Sequence, residues 1–73
     1  MNVGPFVELT VLMHRQGLKR STVAKELGMS QVSLYRRMTG ESPWTLQDMY
    51  GLSDLLGITT DDWGKMFPNI YRR

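Results

Sequence analysis

The chain has no cysteine in its 73 residues, which excludes a disulfide framework and any thiolate metal site. That absence agrees with a reducing compartment. Histidine is nearly missing too: His14 stands alone, near the end of an apolar-striped segment, where a surface role beside a helix C-terminus is its ordinary reading. No carboxylate pair, metal-ligand cluster, phosphate-cradling glycine loop or activated nucleophile is visible, so neither enzyme chemistry nor a metal or cofactor is expected. Asp61 and Asp62 read as helix-start residues. No apolar run approaches the roughly 20 residues of a membrane span. The segment Met1 to Leu9 lacks the basic head and long apolar stretch of a signal peptide. A soluble, cytoplasmic protein is therefore expected. Period-2 alternation is also absent, which removes strands from the reading, and there is no internal repeat or low-complexity stretch.

What is present suits one small domain spanning 1–73. Hydrophobic residues make up 41% of the sequence, enough for a globular core and too much for a disordered chain. The net charge of +2 hides an asymmetry. Residues 1–40 carry six basic residues against two acidic ones, a net +4, and residues 41–73 carry three against five, a net −2. A basic half suits a protein that lays one face on phosphates.

The spacing predicts five helices in one compact all-α bundle. Pro5 suits a first turn, and Phe6, Leu9, Leu12 and Met13 follow as one stripe over about 5–16. Arg20 or Ser21 opens a second helix, with Val23, Ala24 and Leu27 inward. Gly28-Met29-Ser30 is a turn: Gly28 takes the left-handed conformation that ends a helix, and Ser30 caps the next one. A third helix covers about Gln31 to Met38, with Leu34 and Met38 inward. After the breaker-rich loop 39–43, Thr45 and Asp48 form a short capping box for a fourth helix. Leu46, Met49, Tyr50, Ser53 and Leu56 are expected to share its inner face, flanked by Leu52 and Leu55. Gly51 in that helix points to close packing or a slight bend. Gly57 stops it. Thr59 or Thr60 caps a last short helix bearing Trp63, Met66 and Phe67, and Pro68 ends it before a tail over about 68–73.

Two short helices joined by a tight turn over about 20–38 form a helix-turn-helix, whose second helix enters the DNA major groove. The string GLKRSTVAKELGMSQVSLYRRMTG, then Pro43 and LQDMYGLSDLLGITTDDW, resembles the lambda-repressor-like domains of the phage-repressor and Cro type over about residues 6–67. The Gly-Leu before the second helix, the Ala-x-x-Leu-Gly within it, Ser-Gln opening the third, the Gly-x-x-x-Pro loop and the Leu-Gly-Ile-Thr turn occur in that order. SLYRRMTGESPWTL is also loosely similar to small regulators of actinobacteria and their phages. The resemblance implies a duplex-DNA operator as partner. Two departures stand out. Arg20 replaces a Gln that commonly meets a phosphate, which Arg can also do. Arg37 stands where the family is usually apolar, and Met38 where it often has Glu. Either Arg37 reaches the DNA backbone, or the helix end is rotated so that Met38 fills the apolar place.

On this reading Gln31, Val32, Ser33, Tyr35 and Arg36 are the candidate base contacts. Gln pairs with adenine, Val meets a thymine methyl, Ser bonds to several base edges, and Arg pairs with guanine or a phosphate. Lys19, Arg20, Ser21, Arg37 and Thr39 are the candidate phosphate contacts, the first three at a helix start where free N–H groups face anions. Trp44 is read as sealing its loop onto the core. The leading expectation is a Cro-like or immunity-type repressor that occupies an operator. The alternatives are a protein-interaction module, such as an anti-repressor or antitoxin, and an architectural or recombination-directionality factor. An apolar outer face on the third helix would favour a protein partner, and Val32 and Tyr35 supply part of one. Phe67, Ile70 and Tyr71 are expected to be exposed and to make a weak homodimer through the C-terminal segment.

Overall fold

The computed structural model describes residues 5–68. Within them lie α1 (Val7–Arg15), α2 (Arg20–Glu26), α3 (Gln31–Thr39), α4 (Leu46–Leu56), a 3₁₀ turn (Thr60–Asp62) and α5 (Trp63–Met66), with no strand among the described residues. The expected all-α arrangement of five helices is the observed one. α1 is shorter at both ends than expected, and Pro5 lies in a turn ahead of it.

The helix boundaries follow from local chemistry. The Thr45 hydroxyl accepts from Asp48 N at 3.0 Å while the Asp48 carboxylate accepts from Thr45 N at 3.1 Å, a complete capping box for α4. At the far end of α4 the Gln16 side-chain amide donates to the Leu56 carbonyl at 2.8 Å, so a residue just past α1 satisfies an orphan acceptor. Thr59 precedes the 3₁₀ turn, and its hydroxyl contacts the Asp62 carboxylate at 3.4 Å rather than capping a backbone N–H.

One core draws on every helix. Phe6, Leu9, Met13, Val23, Ala24, Leu34, Met38, Trp44, Met49, Leu52, Leu56, Ile58, Trp63 and Phe67 are all buried. α2 packs on α3, and α1 packs on α5. Gly51 lets α4 come close to α2: a Cβ there would lie 2.9 Å from Leu27 Cδ2. This is the close packing expected of that glycine.

Two expectations need correction. Leu46 and Tyr50 are exposed, and the inner face of α4 is Met49, Leu52 and Leu56. Leu46 is the first residue of α4, ahead of the buried stripe. Tyr50 follows Met49 by one residue, about 100° round the helix, and its ring packs edge to face with Trp63. Phe67 is not exposed either: it is 0% accessible. The reason is a series of edge-to-face rings, Phe6 to Trp44 at 6.0 Å, Trp44 to Phe67 at 6.0 Å, Phe67 to Trp63 at 6.1 Å and Trp63 to Tyr50 at 5.1 Å between centroids. Each such pair adds about 0.5–1.5 kcal/mol beyond the area it buries. Phe67 therefore closes the bottom of the core, and Trp44 holds its loop there as expected. Ile70 and Tyr71 lie outside the described residues.

Trp63 is anchored at its polar edge as well. Its indole N–H donates to the Ser53 hydroxyl at 2.8 Å, which donates onward to the Met49 carbonyl at 2.7 Å. Ser53, expected on the inner face, is thus the polar link between α4 and α5.

Candidate nucleic-acid interface

The turn between α2 and α3 fixes how the third helix is presented. Gly28 has φ +71°, and nothing lies within 4 Å of a Cβ built on it, so the requirement is conformational and not one of space. With Gly28 left-handed, Gly28 N donates to the Lys25 carbonyl at 3.1 Å and Met29 N to the Ala24 carbonyl at 2.9 Å. This paired closure is a Schellman motif. Ser30 then opens α3. Its hydroxyl oxygen accepts from Ser33 N at 3.1 Å and its O–H reaches the Ser33 hydroxyl at 3.1 Å. Met29 packs partly against the core and Ala24 is buried, so the turn is held from both sides.

α3 divides cleanly by side. Leu34 and Met38 face the core. Gln31, Val32, Tyr35 and Arg36 are exposed, with Val32 58% and Tyr35 52% accessible. Val32, Tyr35 and Arg36 follow at i, i+3 and i+4, one continuous strip along the helix. With its side chains an α-helix is about 10–12 Å across, which a major groove about 12 Å wide admits.

The start of α2 lies beside this strip. Lys19, Arg20, Ser21 and Thr22 are exposed, and the Arg20 guanidinium sits 6.0 Å from the centroid of the Tyr35 ring. That is cation–π range, so a basic side chain of α2 and an aromatic of α3 form one surface. Arg36 is only loosely engaged, at 3.8 Å from Glu41 with both side chains mostly exposed. Such a pair is worth little in water and yields readily to a stronger anion.

Three of the residues singled out in the sequence are placed differently from this open group. Ser33 is half-buried and its hydroxyl is engaged by Ser30. Thr39 is half-buried, and its hydroxyl donates to the Arg36 carbonyl at 3.1 Å. Met38 is buried and fills the apolar place. Arg37 turns sideways, and its Nε donates to Asp48 Oδ2 at 2.9 Å while a terminal nitrogen donates to the Ser33 carbonyl at 3.3 Å. Sequence reasoning found Asp48 as a helix cap and missed it as the partner of Arg37. The available signal was a basic residue at a usually apolar place with a carboxylate eleven positions on.

Elsewhere on the described surface Val7 and Val11 of α1 and Leu46 and Tyr50 of α4 are exposed. A shallow, open depression beside α4 is lined by Glu26, Gly51, Asp54 and Leu55. Among the described residues no three His, Asp or Glu side chains gather as a metal-ion site, and no helix is long and apolar enough to cross a membrane.

No curated protein and no solved structure matches the chain. A family model described as a helix-turn-helix domain matches residues 7–63, which takes in α1 to α4 and reaches Trp63 at the start of α5. Turn, cap, helix geometry and family match agree: the chain belongs to the helix-turn-helix domain family.

Proposed function

We propose that the protein is a sequence-specific transcriptional regulator, a repressor that occupies an operator with α3 in the major groove. One observation carries this reading: the exposed strip of Gln31, Val32, Tyr35 and Arg36 on a helix whose opposite side is locked into the core, with Arg20 beside it. The side chains of that strip, with Ser33, are the types that read base edges. Lys19, Arg20 and Ser21 take the phosphates at one end, and Thr39 lies nearest the backbone at the other. A single helix of this length spans about half an operator, so two copies bind a two-fold site. Ile70 and Tyr71 of the C-terminal segment are the proposed contact between the copies, without Phe67.

The competing reading is a protein-interaction module, favoured by the exposure of Val32 and Tyr35. Against it stands the charge that borders them: Lys19, Arg20 and Arg36 are all exposed and of one sign, which suits a phosphate backbone.

The experiment is selection of binding sites from random duplex by the purified protein, followed by titration of the best site at several salt concentrations. A two-fold sequence is expected, and log K is expected to fall with log salt by about 0.9 for each phosphate contacted. Folded protein that binds no duplex at low salt would refute the proposal.

A further inference from the structure

We infer that Arg37 and Asp48 act together as a positioning clamp that sets the pose of the reading helix, and that Arg37 contributes no phosphate contact. The inference rests on the DNA-reading role proposed for α3.

The geometry is that of a junction rather than a surface ion pair. The two side chains are only 22% and 14% accessible, and their N–O distance is 2.9 Å. Two helices, α3 and α4, meet at them. Arg37 donates backward along its own helix to the Ser33 carbonyl and across to Asp48 on α4. The oxygen it meets, Asp48 Oδ2, is the one that accepts from Thr45 N in the capping box. The start of α4 and the outer half of α3 are thus fixed by one carboxylate oxygen and one guanidinium. Ser33 ties this to the reading turn, because its N–H bonds the Ser30 hydroxyl while its carbonyl receives Arg37. The pair therefore holds the backbone from which Gln31, Val32 and Ser33 project.

The two roles open to Arg37 differ in what they predict. A phosphate contact adds to affinity for every sequence and to the salt slope, whereas a clamp alters discrimination between sequences without changing the count of neutralised phosphates. A side chain that merely stabilises the fold changes neither quantity once the folded fraction is accounted for.

The test compares Arg37→Met, Asp48→Asn and the double variant with the unaltered protein. Each is titrated on the selected site and on single-base variants at the positions α3 reads, at several salt concentrations. A matched-to-mismatched ratio of about fivefold to a hundredfold is expected for the unaltered protein. Both single variants should lower that ratio severalfold and leave the salt slope within about 0.3 of the original. The double variant should lose no more than Arg37→Met alone, since Asp48→Asn weakens the same contact that Arg37→Met removes. A slope reduced by about 0.9 in Arg37→Met with the ratio intact would make Arg37 a phosphate contact and overturn the inference. So would a slope raised in Asp48→Asn, where a freed Arg37 reaches DNA, or an unchanged ratio in both. Should Arg37→Met fail to fold, Asp48→Asn decides alone, because its amide can still accept from Thr45 N. Failure of the unaltered, folded protein to bind any duplex is a separate result, which refutes the DNA-reading role and the clamp with it.

Discussion

Replacing Phe67 by Ala tests whether the C-terminal aromatic closes the core or faces a second molecule. Phe67 is fully buried and meets Trp44 and Trp63 edge to face. Truncation of such a side chain costs about 3–5 kcal/mol, from lost transfer free energy and the cavity left behind. A domain of this size has a total stability of roughly 4–11 kcal/mol. The variant should therefore stand near the limit of folding, and each kcal/mol lowers the melting temperature by about 4–8 °C. The assay is urea denaturation followed by tryptophan fluorescence, at two protein concentrations tenfold apart. The midpoint should fall sharply and by the same amount at both concentrations. A loss below about 1 kcal/mol, or one that vanishes on dilution, would return Phe67 to an intermolecular surface and refute the core assignment.

Arg20→Ala should weaken binding to all duplexes alike and lower the salt slope by about 0.9, while Gln31→Ala should cost about 1–3 kcal/mol on the best site and relax preference at one base pair; titrations on matched and mismatched duplexes separate the two. Ser30→Ala removes the cap of α3 and should cost about 1 kcal/mol in a thermal melt, whereas Ser30→Asp keeps the cap and weakens DNA binding by its charge. Gly51→Ala sets a helix-propensity gain of about 1 kcal/mol against a contact with the movable end of Leu27, so it should be neutral to within about 1 kcal/mol, and Gly51→Leu should lose about 1–3 kcal/mol. Equal denaturation midpoints for the two Gly51 variants would remove the close-packing explanation.

The helices were legible because their ends depend on neighbours in sequence. Gly28, Ser30 and the Thr45–Asp48 box act over a few residues, so residue type and spacing carried the information. What could not be read was set by contacts across the chain. Trp63, four residues before Phe67, is a readable neighbour, but nothing adjacent shows that Trp44 will close over it from the other side. An apolar stripe on α4 could be drawn through Leu46 and Tyr50 as readily as through Leu52, until the position of α5 decided which side was inward. The partnership of Arg37 with Asp48 depends in the same way on how α4 crosses α3. For the candidate interface, the sequence could name the exposed strip of α3. It could not show that Ser33 and Thr39 have hydroxyls already engaged, or that Arg20 reaches the ring of Tyr35.

The division of α3 into separate sides has a consequence for how such a protein changes its target. Leu34 and Met38 make no use of the outer strip, and Gln31 and Val32 contribute nothing to the buried core. Binding preference and stability should therefore vary independently. A double replacement, Gln31→Ser with Val32→Asn, alters two side chains that face solvent in the free protein. Surface changes of this kind shift stability by about 0.5 kcal/mol or less, while Leu34→Ala on the other side of the same helix should cost about 2–5 kcal/mol. Loss of the Val32 methyl groups should remove discrimination for a thymine, and loss of the Gln31 amide should remove the bidentate adenine contact. Site selection repeated with the double variant should thus return a sequence that differs from the original at neighbouring positions within each half-site, with half-site spacing unchanged. A variant that unfolds would refute the independence of preference from stability, and one that selects the original sequence unaltered would show that these two residues do not form the reading turn.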